Sequence, residues 1–263
     1  MKKRVYRVLK QHRLMMEVIE IECDTTDSHR IRKYHELIEE LERKLRHQVV
    51  TCQLLEISSR TPQLLGNHVR ASRLMLECRG EHACVESVYL SQLKFSYGGP
   101  YHDVLTKPLH ETRQDIRFKA SGRVIRAMGE HYDWPREYLS YYYAWLYIQA
   151  LLKQPDLATA LCEYDSFSDV SFDPHVSAHC VAEAAAIYAT LVHHGLLQTA
   201  MKSPVQFIYT VRRIKKIHSK SKAVACHSFF CYSRARRRFN ASRVWFFTTC
   251  SVMPKFLAVV LMS

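Results

Sequence analysis

Residues that break regular backbone structure are scarce in this chain, which contains 7 glycines and 8 prolines among 263 residues. Glycine and proline are the residues least favourable inside helices, and turn-rich β-sandwiches depend on them. Hydrophobic residues make up 48% of the chain, an ordinary value that permits a sizeable core. The composition therefore predicts an all-α protein, built as an irregular helical bundle or a short α-solenoid.

Charge divides the chain unevenly, although the formal net charge is +13. Residues 203–263 carry 12 of the 38 Lys and Arg residues and none of the 25 Asp and Glu residues. The remainder of the chain has 26 basic and 25 acidic residues and is nearly neutral. With a turn at Gly98-Gly99-Pro100 as a boundary, we predict helical regions over 1–97 and 101–202, followed by a poorly ordered basic tail over 203–263.

Helical periodicity is most regular between about residues 28 and 58, where apolar side chains recur every three or four residues. Acid-before-base pairs four residues apart, such as Glu39 with Arg43, support the same helix. A partner protein, or a second copy of this chain, is expected to dock on the apolar seam of this coiled-coil-like helix. The seam consists of Ile31, Tyr34, Ile38, Leu41 and Leu45.

Other segments also show helical patterns, and one of them is strongly aromatic. We predict helices over 3–21, 62–78, 137–153, 155–164 and 174–194. The helix over 137–153 is apolar almost all round and should be buried. Its tyrosines and tryptophan favour core packing, with partner contact as the alternative. The candidate interface residues are Tyr138, Tyr141, Tyr142 and Trp145.

Metal, cofactor and catalytic signatures are incomplete in the sequence. His175, His179 and Glu183 lie at four-residue spacing and form a weak metal-ligand candidate, but they do not form an H-E-x-x-H motif. The chain has no phosphate-binding glycine motif and no nucleophile elbow. We therefore predict no bound metal or cofactor, no catalytic residues and no enzymatic activity.

The predicted tail has alternative interpretations. Its basic clusters lie near aromatic residues, a combination that suits nucleic acid, chromatin or an acidic membrane surface. Residues 244–262 approach the length of a membrane span, but Lys255 inside them makes that segment marginal. An accidental terminus from an alternative exon, ending a truncated isoform, is the remaining interpretation. The clusters consist of Arg212, Arg213, Lys215, Lys216, Arg234, Arg236, Arg237 and Arg238.

Cysteine usage and the N-terminus indicate a reducing compartment. Nine scattered cysteines form no disulfide framework, and no apolar signal segment follows the basic N-terminus. We therefore expect a protein of the cytoplasm or nucleus. The leading functional prediction is a helical scaffold or adaptor that binds other proteins. A nucleic-acid-binding protein that uses the tail is the first alternative, and a helical metal protein or enzyme is the second.

Overall fold

The structure, a computed structural model, describes residues 2–9, 13–20, 30–48, 52–173, 177 and 179–215. Contacts within the chain separate residues 1–216 from residues 217–263, and all described residues belong to the first unit. This unit contains strands and helices, so the prediction of an all-α protein is wrong. The strands are β1 Lys2–Leu9, β2 Arg13–Glu20, β3 Leu54–Glu56, β4 Met75–Cys78, β5 Glu81–Cys84, β6 Leu93–Phe95, β7 Val124–Met128, β8 Asp133–Pro135 and β9 Ser166–Ser168.

Helices occupy much of the remaining described chain, and most of them are short. The 3-10 helices are His102–Thr106 and Arg136–Tyr138. The α-helices are α1 Arg30–Gln48, α2 Leu64–His68, α3 Val85–Ser91, α4 Leu109–Gln114, α5 Ile116–Ala120, α6 Leu139–Leu152, α7 Pro155–Leu161, α8 Val181–His193, α9 Leu197–Ala200 and α10 Pro204–Ile214.

The N-terminal segment forms a β-hairpin where a helix over 3–21 was predicted. β1 pairs antiparallel with β2, so that Val5 lies opposite Glu17. Four of the sixteen residues in the two strands are β-branched, a side-chain type that packs well on a pleated surface. On β2 only Leu14 and Ile19 are buried, so burial does not alternate strictly along the strand. The helix prediction failed because short strands with imperfect alternation carry little periodic signal.

A four-stranded sheet joins distant parts of the sequence in the order β2-β1-β9-β3. β9 pairs antiparallel with β1 and parallel with β3. Leu55 on β3 lies opposite Phe167 on β9, and both side chains are fully buried. The sheet therefore brings the ends of β3 and β9 side by side, and the candidate site is built there.

The predicted long helix over 28–58 is shorter in the structure, because the described helix ends at Gln48 and residues 54–56 form a strand. Its apolar seam packs inside the chain. Ile38, Leu41 and Leu45 are buried in a small core with Val5 and Ile19 of the hairpin, and Tyr34 packs partly buried against that core. The side chain of Ile31 lies outside the described set.

The main core surrounds α6 and α8 and confirms the predicted central buried helix over 137–153. Tyr147 is completely buried on α6, and its hydroxyl donates a hydrogen bond to the Val69 carbonyl oxygen at 2.8 Å. α10 packs against the same core through Phe207 and Val211. Residues 204–214 of the predicted tail are therefore part of the folded unit.

Membrane-spanning capacity can be judged only for the described residues. None of their helices combines the length and the apolar character that a membrane span requires. The marginal segment 244–262 lies outside the described residues.

Glu56, at the end of β3, is a completely buried carboxyl group. The backbone N–H of Val170 donates to its Oε1 at 2.9 Å, and the hydroxyl of Ser168 donates to its Oε2. Burial, reinforced by the negative charge of Asp169, raises the pKa of Glu56 to about 7. The folded state therefore binds the Glu56 proton more tightly than the unfolded state does.

This pKa shift predicts a loss of stability as the pH rises. Between about pH 4.5 and 7 the unfolded chain has lost the Glu56 proton, whereas the folded chain still holds it. The free energy of unfolding therefore falls by about 3 kcal/mol in total as the pH rises through this interval. Glu56→Gln should remove this dependence, and its stability relative to the natural chain should rise from pH 5 to pH 8. Urea denaturation at both pH values measures the difference. The exposed Glu111→Gln is the control, and an equal change in both variants would contradict the assignment.

Candidate functional site

A cavity of about 560 Å³ opens beside the adjoining ends of β3 and β9. This volume lies within the range of about 300–1,000 Å³ that is typical of small-molecule sites. Its walls come from the loop after β3, the start of α3, the middle of α6, the loop after β9 and the segment before α8. The cavity-lining residues discussed below are Arg70, Glu86, Arg113, Tyr143, Asp169, Phe172 and His179.

Glu86 lies in the first turn of α3, where the helix dipole favours a negative charge. The start of this helix is fixed by backbone hydrogen bonds from Val85 to the Leu74 carbonyl at 2.9 Å and from Glu86 to the Ala71 carbonyl at 3.3 Å. The guanidinium of Arg113 binds both carboxylate oxygens of Glu86, at 2.7 and 2.6 Å. Glu86 is thus held in one orientation at the cavity wall.

Arg70 provides a second positive charge to the cavity. Its Nε and Nη2 donate to the carbonyl and side-chain oxygens of Asn67, at 2.9 and 3.0 Å. Both acceptors are uncharged, and Arg70 has no ion pair among the described residues. Burial lowers its pKa, and the nearby charges of Arg73 and Arg113 contribute to the lowering. An anionic ligand would relieve this accumulation of positive charge.

Asp169 is one of two acidic residues that the loop after β9 contributes to the cavity lining, the other being Asp173. One oxygen of Asp169 accepts hydrogen bonds from the backbone N–H of Ser171 at 3.0 Å and from the Ser171 hydroxyl at 2.5 Å. Burial raises the pKa of Asp169 despite these bonds. The cavity lining therefore contains three carboxyl groups. That of Glu86 is paired with an arginine, that of Asp169 is desolvated, and that of Asp173 belongs to an exposed residue.

Aromatic side chains form another part of the wall. The His179 ring lies 4.2 Å from the Tyr143 ring centre and 4.4 Å from that of Tyr89. Burial lowers the pKa of His179 to about 4, so its imidazole is neutral at neutral pH. Its Nδ1 is buried and has no hydrogen-bond partner among the described residues. Phe172 lies beneath the Arg4 guanidinium, 5.6 Å from the ring centre.

The structure separates the residues of the predicted metal-ligand candidate. His179 lines the cavity, whereas Glu183 pairs with Lys215 at 2.7 Å. His175 lies outside the described residues. No group of three or more histidine, cysteine, aspartate or glutamate side chains in the described part of the chain is arranged to hold a metal ion.

The candidate interface aromatics take different positions. Tyr142 is buried in the main core, and Trp145 packs partly exposed with its ring 5.3 Å from Phe207. The guanidinium of Arg212 on α10 lies over the Tyr138 ring. The ammonium group of Lys215, which follows α10, lies over the Tyr141 ring.

The basic clusters are only partly described. The Arg213 guanidinium lies 5.7 Å from the Tyr209 ring centre, on the same helix. The remaining basic-cluster residues, Lys216, Arg234, Arg236, Arg237 and Arg238, lie outside the described residues.

Sequence reasoning missed Glu86, Asp169, Arg70 and Arg113 because they do not form a local motif. They lie between residues 70 and 169 on separate helices and loops. A partial signal was present in the acidic residues around β9, at positions 165, 169 and 173. Loops that a rigid scaffold positions often carry functional residues.

Comparison with known proteins yields one family. A family model described as the DarT1-associated NADAR antitoxin matches residues 1–221 of the chain. No curated protein matches it. The family match overturns the prediction that this chain is a helical scaffold. The β-strands overturn the prediction that it is an all-helical, coiled-coil protein. It also leaves the prediction of a non-enzymatic protein unconfirmed. Because the model covers most of its length, the chain belongs to the NADAR-DarT1 family of antitoxins.

Proposed function

We propose that this protein is an antitoxin enzyme that hydrolyses the bond between the anomeric carbon of a phosphorylated ribosyl group and its acceptor. The observation that carries the proposal is the composition of the 560 Å³ cavity. Its lining combines two arginines, an aromatic wall and three carboxyl groups, of which Glu86 and Asp169 lie in clearly different environments. Each of these matches one part of a ribosyl phosphate substrate.

Arg70 is the best candidate to bind the phosphate. Its charge is not neutralised by a carboxylate of the described residues, and hydrogen bonds between guanidinium and phosphate are among the strongest in proteins. Tyr143 and Phe172 offer ring surface for a base or sugar. The family's description as an antitoxin associated with DarT1 supports a role in toxin neutralisation.

Glu86 and Asp169 suit glycosidic hydrolysis, which uses a paired acid and base. Asp169, whose pKa is raised by burial, would donate a proton to the departing acceptor group. Glu86, oriented by Arg113, would accept a proton from the attacking water or stabilise the positive charge on the anomeric carbon. The water oxygen ends on the anomeric carbon, and the acceptor leaves with the proton.

Release of ADP-ribose tests the proposed function. The full chain would be incubated with ADP-ribosyl conjugates of a nucleobase, of serine and of glutamate, and free ADP-ribose would be measured. We expect release from at least one conjugate. Intact conjugates in every reaction, with a correctly folded protein, would contradict the proposal.

Arg70→Met should raise KM for a cleaved ADP-ribosyl conjugate by about 10- to 100-fold, because a charged hydrogen bond contributes about 1.5–3 kcal/mol. kcat should change much less, since the phosphate is remote from the bond that breaks. Steady-state kinetics measures both constants. Arg136→Met, an exposed position outside the cavity, is the control. An unchanged KM in Arg70→Met would contradict phosphate binding by this residue.

Direct binding of a toxin protein is the second candidate, and the family's description as a toxin-associated antitoxin favours it. The two mechanisms differ in their dependence on the cavity. An antitoxin that acts by binding should still neutralise the toxin when Glu86 is replaced by glutamine, whereas an antitoxin that acts by hydrolysis should not.

A further inference from the structure

A second, smaller cavity of about 140 Å³ lies between α3, α6 and the β7–β8 hairpin. It differs from the first cavity in its lining, although α3 and α6 contribute to both. The first cavity takes Glu86 and Tyr143 from these helices, and the second takes Val88 and Tyr142, together with Gln92 directly after α3. The two spaces are therefore distinct.

Two polar atoms in this second cavity are buried and have no hydrogen-bond partner among the described residues. They are the side-chain oxygen of Gln92 and the hydroxyl of Tyr142. Each residue is only 2% exposed. The amide nitrogen of Gln92 already donates to the Cys78 sulfur at 3.1 Å, which leaves the amide oxygen as an acceptor. Buried polar groups almost always have partners, so these two atoms point to a ligand.

The rest of the lining indicates the shape and charge of that ligand. Leu76, Val88 and Trp134 give the cavity a buried apolar wall, and the Trp134 ring lies 5.1 Å from that of Tyr142. An apolar cavity of about 150 Å³ accepts a benzene-sized ring. The exposed carboxylates of Glu77 and Glu130 lie at the rim, where they would oppose a phosphate.

We propose that this cavity binds a neutral nitrogen-containing aromatic ring of the pyrimidine type. An N–H of the ring donates to the Gln92 oxygen, and a ring carbonyl accepts from the Tyr142 hydroxyl. The aromatic and aliphatic wall contacts the ring faces. This binding does not depend on catalysis in the larger cavity.

Uracil tests the proposal, because it has adjacent N–H and C=O groups and fits the volume. The full-length protein would be titrated with uracil, and the indole N–H signals of Trp134 and Trp145 would be followed by NMR. We expect saturable shifts of these signals. 1,3-Dimethyluracil, which lacks an N–H donor, should bind at least 10-fold more weakly.

Two variants locate the binding. Gln92→Leu and Tyr142→Phe should each weaken uracil binding by about 10-fold, the effect of one lost hydrogen bond. Tyr142→Phe removes a hydroxyl without a protein partner, so its melting temperature should equal or exceed that of the natural chain. Tyr141→Phe, on the same helix but outside the cavity, is the control.

Several results would overturn the proposal. The first is the absence of indole shifts at saturating uracil, and the second is equal binding of uracil and its dimethyl derivative. Unchanged uracil affinity in Tyr142→Phe would have the same meaning. A crystal soaked with uracil that contains only ordered water in this cavity would also exclude the ligand.

Discussion

Replacing Glu86 by glutamine is expected to lower kcat for ribosyl hydrolysis by about 100- to 10,000-fold, the usual contribution of a general acid or base. Glutamine has nearly the same size, and its single side-chain oxygen can keep one of the two hydrogen bonds that Arg113 donates to the carboxylate at 2.7 and 2.6 Å. Glutamine cannot accept a proton or balance a positive charge on the anomeric carbon. The loss should therefore appear in kcat and leave KM nearly unchanged.

Steady-state release of ADP-ribose by the purified variant measures this effect. The matched control is Glu81→Gln, an exposed position on β5 that does not line the cavity. Thermal unfolding should confirm that both variants are folded. If Glu86→Gln retained more than about a tenth of the natural kcat, Glu86 would not be a catalytic residue, and Asp169 would have to act with another group.

Replacing Leu41 by alanine is expected to lower the free energy of unfolding by about 2–5 kcal/mol, the usual cost of truncating a buried leucine. Leu41 is completely buried on α1, in the small core with Val5 and Ile19 of the hairpin. The variant loses the transfer free energy of the missing methyl groups and leaves a cavity. A loss of this size is a large fraction of the stability of a typical domain.

Urea denaturation measures the change in the free energy of unfolding. Leu64→Ala provides a matched control, because the same atoms are removed from a side chain that is 72% exposed. The control should change stability by no more than about 0.5 kcal/mol. Equal effects at the two positions would show that α1 does not pack on the hairpin in solution.

Helix prediction from the sequence succeeded best for α6, a helix whose side chains are buried on nearly every side. α6 is apolar almost all round, and this composition alone indicates a central position. α1 was also predicted, but its apolar seam was assigned to a partner protein. An amphipathic stripe shows only that a helix buries one face, and it does not indicate which surface covers it. Here the hairpin of the same chain covers Leu41 and Leu45.

The strands and the site were less accessible to sequence reasoning, for a related reason. β3 and β9 are three residues long, too short for alternation to be recognised. Their pairing is what places Asp169 in the same cavity as Arg70 and Glu86. A site whose members come from several elements has no fixed spacing, so a search for motifs could not reveal it.

The parallel pairing of Leu55 with Phe167 also has a consequence for synthesis on the ribosome. More than 100 residues separate the two strands, and closing a loop of this length is slow relative to the formation of local helices and hairpins. During translation, β3 emerges long before β9. The cavity beside β3 and β9 is therefore assembled only when roughly the first two thirds of the chain have left the exit tunnel, whereas the β4–β5 hairpin needs no later segment in order to form.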